Sequence, residues 1–161
     1  MAEGEFALLP NHLEAALRRA PVLMRFGSAA SDLDLYILYV ELALRRDGPD
    51  LMAHALRALE GAVSLGHPLY QAIAQRALGA AHRQERAWAQ ADACLGQALA
   101  QFRAVPARWQ AARTLVERAK LEQDQGNIAH ARGAAEQALS EFVALGAAPD
   151  AGQVAAMLRH L

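Results

Sequence analysis

The sequence predicts an all-α chain built from repeated helical pairs, and three observations carry that prediction. From Ala91 onward, small or apolar residues fall at Ala91, Cys94, Leu95, Ala98, Leu99 and Phe102, the i, i+3, i+4, i+7, i+8, i+11 rhythm of one helical stripe. Adding 40 to each number finds the stripe again at Ala131, Ala134, Ala135, Ala138, Leu139 and Phe142. Subtracting 40 finds it at Leu51, His54, Ala55, Ala58, Leu59 and Ala62. Finally, Gly66 and Gly146 follow two of these helices where a left-handed C-terminal cap is wanted, and Pro68, Pro106 and Pro149 suit the first turn of the next helix.

Taken in order, residues 1–30 hold a leading helical segment, "NHLEAALRRAPVLMRF", interrupted at Pro21. A helix over 31–46 follows, containing "LDLYILYVELALRR". Its apolar residues cover nearly every side, so it is expected to be buried all round, with the leading segment as its cover. If exposed instead, residues 33–46 would suit self-association. Helices near 50–65, 68–84, 87–104, 106–124 and 127–145 come next, and Gly48-Pro49 and Gly126-Asn127 mark tight helix-to-helix turns. A short helix near 149–160, "PDAGQVAAMLRHL", closes the array. The expected organisation is one domain over 1–161, with repeats at 31–66, 67–105 and 106–146 and a capping helix in 147–161.

Composition narrows the function classes. Hydrophobic residues make up 54% and aromatics only 6%, so the core has to be made of Ala and Leu. The formal charge of −1 and a single lysine, Lys120, leave no cationic surface for a phosphate backbone, which argues against nucleic acid as a partner. The lone Cys94 cannot form an internal disulfide and lacks zinc-site spacing, as suits a reducing cytoplasm. The start "MAEGEF" carries acids where a secretory signal carries Lys or Arg, and no apolar run reaches the ~20 residues of a membrane span. The chain is therefore expected to be cytoplasmic, with no membrane contact.

The motifs of catalysis and metal binding do not emerge. His12, His54, His67, His82, His130 and His160 are scattered without an HExxH-like pair, and there is no phosphate loop, GxSxG elbow or paired-carboxylate signature. His54 and Cys94 occupy equivalent stripe positions and read as packing residues. The expectation is a non-enzyme with no catalytic residue, cofactor or metal.

The stretch "LGAAHRQERAWAQADACLGQAL", residues 78–99, resembles the tetratricopeptide repeat. Leu78-Gly79, Trp88, Ala91, Leu95 and Ala98-Leu99 fall in that family's register, with His82 at an aromatic position and Arg86 replacing the turn glycine. The next pair keeps Gly126, Ile128, Ala131 and Ala138-Leu139 but has Ala119 for the glycine. The family unit is about 34 residues, shorter than the spacing seen here. The longer unit is similar to that of C-terminal arrays in bacterial regulators and signalling ATPases.

The resemblance implies a right-handed solenoid of three antiparallel hairpins whose first helices line a concave groove. It places Ile73, Arg76, Ala80 and Arg83 in that groove, beside Arg113, Val116, Lys120 and Gln123. Seven-residue spacing puts Arg76 and Arg83 on one face, and likewise Arg113 and Lys120, so the groove is expected to be locally positive. Against this, Arg113 and Glu117 are spaced for an internal i, i+4 pair. Tyr70 and Trp109 are candidate rim aromatics, or packing residues between hairpins. The expected function is a scaffold or regulatory domain holding an extended peptide or partner helix, acidic or ending in a carboxylate. Two alternatives stay open: a domain sensing a small ligand or peptide within a larger regulator, and a structural homo-oligomer formed through residues 33–46.

Overall fold

A computed structural model of the chain describes residues 29–46 and 50–161. The leading segment and the Gly48-Pro49 turn lie outside these residues. Everything regular within them is helical: α1 (Ala29–Arg46), α2 (Leu51–Ser64), α3 (Pro68–Gln84), α4 (Trp88–Ala104), α5 (Arg108–Asp124), α6 (Ile128–Ala144) and α7 (Ala148–Leu158). No helix among the described residues is long and apolar enough to cross a membrane.

The repeat period divides further. Helices α3 to α7 start at Pro68, Trp88, Arg108, Ile128 and Ala148, an even beat of half the period, with short turns of equal length between them. At the middle turn position the backbone is left-handed at Gly66 (φ 62°), Gly126 (φ 80°) and Gly146 (φ 68°), which glycine adopts without a Cβ clash. The next residue then returns its N–H to a carbonyl in the last turn of the helix, as in Asn127 N to Glu122 O at 2.8 Å and Ala147 N to Phe142 O at 2.9 Å. Arg86 takes the same conformation (φ 58°), and Ala87 N reaches His82 O at 2.9 Å. Position 106 is the exception. Proline cannot take positive φ, so Val105 turns extended (ψ 140°) ahead of it, and α5 still begins on the same beat, at Arg108. Pro106 thus lies in the turn and not, as expected, in the first turn of a helix.

The repeated stripe is buried along its i, i+4, i+7, i+11 lane in all three helices. Leu51, Ala55, Ala58 and Ala62 of α2 correspond to Ala91, Leu95, Ala98 and Phe102 of α4 and to Ala131, Ala135, Ala138 and Phe142 of α6. The flanking lane of His54, Cys94 and Ala134 is only half-buried, so Cys94 and His54 sit at the edge of the core and not within it. His54 stacks on Tyr39 at 4.8 Å between centroids. Burial also pushes the Cys94 thiol above its ordinary pKa.

Each described helix packs on the next, and α3 also touches both α1 and α5. Gly79 sets the α3–α4 spacing: a Cβ there would stand 2.6 Å from Leu95 Cγ and 3.2 Å from the Ala91 carbonyl oxygen. The expectation of complete burial for α1 is corrected. Leu33, Ile37, Val40 and Leu44 form one buried lane, while Leu35, Tyr36, Leu38, Tyr39 and Leu42 are half-exposed. The buried lane forms the core of the contact with α2 and α3, while half-buried Tyr36 and Tyr39 lie against His54 of α2.

Candidate functional site

Helix α7 leans on α6 and does not pack closely against α5, whereas α3 and α5 do touch. The space so left is a cleft of about 660 Å³, walled by α5 and α7, with buried Leu44 of α1 and Phe142 of α6 also lining it. Along α5 the wall runs from Arg113 to Gln123, about 15 Å at the 1.5 Å rise of a helix. Val116, Val154 and Met157 provide apolar surface; Arg113, Glu117, Lys120, Gln123, Asp150 and Gln153 provide polar groups.

The eight residues expected in a groove divide into two sets. Arg113, Val116, Lys120 and Gln123 all line the cleft. The four on α3 do not. Ile73, Arg76 and Ala80 are 3%, 1% and 1% exposed, covered where α1 and α5 pack on α3. Arg83 instead reaches Asp124 at the end of α5, Nη1 to Oδ2 at 2.7 Å.

Arg76 is the centre of a buried charge cluster. Its Nη2 donates to Glu41 Oε1 at 2.5 Å and its Nη1 to Gln110 Oε1 at 2.6 Å, and its guanidinium lies 5.6 Å from the Phe102 ring centroid. Burial lowers its pKa to about 10, against the opposing attraction of Glu41, so it stays charged at neutral pH. The other Glu41 oxygen accepts from Arg113 Nη1. One carboxylate on α1 therefore satisfies two arginines on α3 and α5, the arrangement that lets buried guanidinium charge persist.

This pairing overturns the expected local positive charge. Arg113 is held by Glu41, and Lys120 Nζ donates to Glu117 Oε1 at 2.8 Å. Glu117 thus pairs with Lys120 at i+3, not with Arg113 as the i, i+4 spacing suggested. Among the cleft's lining residues, the charges of Arg113 and Lys120 are balanced by those of Glu117 and Asp150.

Neither candidate rim aromatic lines the cleft. Tyr70 donates to Asp34 Oδ1 at 2.8 Å, joining α3 to α1, and stacks on His67 at 4.0 Å. Trp109 Nε1 donates to Asp150 Oδ2 at 3.1 Å, tying the N-terminal ends of α5 and α7 together, and Arg113 lies over its ring at 4.8 Å.

Sequence reasoning missed the whole opposite wall: Pro149, Asp150, Gln153, Val154 and Met157. The signal is present, since Gln153 stands one full repeat period after Arg113, but a short terminal helix reads from sequence only as a cap. No group of three or more His, Cys, Asp or Glu side chains among the described residues is placed to hold a metal ion. No family model, curated protein or solved structure matches the chain.

Proposed function

We propose that the chain is a tetratricopeptide-like interaction module: a right-handed solenoid of three helical hairpins with α7 as its cap, holding a peptide segment in the cleft between α5 and α7. The burial lane shared by α2, α4 and α6 supports the repeat, as does the matching of Phe102 with Phe142, both 1% exposed. The shape of the cleft carries the peptide reading. A slot about 15 Å long fits four to five extended residues at roughly 3.3 Å each. Its apolar strips on two helices suit alternate side chains, and its polar groups suit the backbone between them. The balanced lining charges favour an uncharged segment over the acidic one that the sequence suggested.

Selection of a random peptide display library on the immobilised protein tests this. The expected result is a set of peptides that compete for one site and lose at least about tenfold in affinity on Val116→Trp, a change that fills the cleft from a half-buried position. Enrichment of no peptide, or undiminished binding to a folded Val116→Trp variant, would overturn the proposal.

A further inference from the structure

Resting on that peptide reading, we infer that the cleft recognises a neutral amide, donating to its carbonyl from Lys120 and accepting from its N–H at Glu117.

Glu117 lines the cleft although it is only 7% exposed. Its Oε1 is taken by Lys120, while Oε2 is buried without any hydrogen-bond partner. A carboxylate oxygen in that position is costly unless a donor reaches it. Lys120 has the complementary surplus: its ammonium carries three N–H groups, one is given to Glu117, and its side chain is 29% exposed. The pair thus offers one acceptor and one donor side by side. An ammonium ligand would satisfy Glu117 but bring a positive charge beside Lys120 and within the field of Arg76, which Glu117 already influences electrostatically. A carboxylate ligand would satisfy Lys120 and face Oε2. An amide serves both groups without adding charge to a lining that is already balanced. That amide is the carboxamide of an Asn or Gln side chain, whose oxygen and one N–H lie on the same edge, whereas a trans backbone amide points them in opposite directions.

The test uses the peptides selected above. Each backbone amide is replaced in turn by an ester and each Asn or Gln by Leu, and affinities for wild type and Glu117→Gln are read by fluorescence anisotropy. One replacement should weaken binding to wild type by about 10- to 100-fold and binding to Glu117→Gln by less than about threefold, the signature of a direct coupling. A Leu-sensitive position identifies the carboxamide, and coupling to Glu117 confined to ester positions would overturn the inference. Lys120→Met, at a half-exposed position, gives an independent reading: the same ligand position should lose its sensitivity to replacement of its carbonyl oxygen by sulfur. Between about 0.05 and 0.5 M salt the affinity should change less than about threefold. Equal penalties in wild type and both variants would overturn the inference while leaving the peptide reading intact, since Oε2 would then serve only an internal solvent link to the buried, unpartnered Nε of Arg76. Selected peptides rich in Asp or Glu, with binding lost at high salt, would overturn it too. Failure to select any cleft-binding peptide would instead remove the reading beneath it.

Discussion

Glu41 on α1 forms an ion pair with Arg113 on α5, 72 residues further along the chain, while its other oxygen holds Arg76 on α3. One carboxylate therefore bridges three helices that short-range turns alone would not bring together. Because Arg76 is 1% exposed, removing its counter-charge strands a guanidinium away from water.

Glu41→Ala is accordingly expected to destabilise the fold by about 3–5 kcal/mol, measured by urea denaturation, whereas Arg113→Ala should cost about 1–2 kcal/mol because Arg76 still satisfies the carboxylate. Glu41→Leu combined with Arg76→Met should restore at least half of the loss, as apolar replacement removes both buried charges together. A Glu41→Ala variant with wild-type stability would show that the cluster does not hold α1 against α3 and α5.

The helix seams give a second prediction. Ala98 and Ala138 are wholly buried at equivalent positions, and Gly79 has no room for a Cβ against Leu95. Enlarging Ala98 or Ala138 to Leu, or Gly79 to Ala, should lower stability by about 1–3 kcal/mol by overpacking. Exposed Gln90 or Gln97 to Leu should change it by less than about 0.5 kcal/mol. Indistinguishable melting temperatures across this set would refute close packing at the seams.

The difference between these two cases marks what the sequence could reveal. The Ala98 and Ala138 positions were legible because burial on a helix follows the helical period and the lane recurs at a fixed offset. Gly79 was legible as well, through the small-residue register. The charge cluster was not, because Glu41 lies 35 and 72 residues from its partners and no local spacing announces such a pair. A nearer carboxylate, Glu117, competed for Arg113 on spacing alone. The cleft was half legible: its α5 wall followed from the repeat register, while the α7 wall depends on where that last helix diverges from α5, a tertiary fact.

The Tyr70–Asp34 hydrogen bond supplies a pH dependence. The bond itself, then burial, then repulsion from the Asp34 carboxylate raise the Tyr70 pKa above its ordinary value near 10. Below pH 10 the phenol is protonated in both states and the bond is fully present. As pH rises from 10 through the folded-state pKa, the unfolded chain loses this proton first, so stability falls. Phenolate absorbance should show two tyrosines ionising late, Tyr70 and Tyr39, whose pKa is also raised, by burial and by Tyr36; Tyr70→Phe should remove one of the two. Asp34→Asn should shift that step towards pH 10. If both late steps survive in Tyr70→Phe, the assignment is wrong.

The turn at Arg86 provides the last prediction. Three of the other turns place glycine at the equivalent left-handed position, whereas Arg86 sits there at φ 58° with a Cβ that crowds its own carbonyl. Arg86→Gly relieves that crowding but gives the unfolded chain more freedom to lose, so the net gain should be about 0.5–1 kcal/mol. Gly126→Ala and Gly146→Ala impose the strain that Arg86 carries and should each cost about 1 kcal/mol, although no atom lies within 4 Å of either added Cβ. Arg57→Gly, which deletes the same charge from an exposed position in the middle of α2, should instead destabilise by about 1 kcal/mol through lost helix propensity. The surface ion pair of Arg57 with Glu60 adds little to that loss. Thermal melts of the four variants decide the matter. Opposite signs at positions 86 and 57 would place the effect in the backbone, and a loss at position 86 equal to that at 57 would show that Arg86 contributes through its side chain.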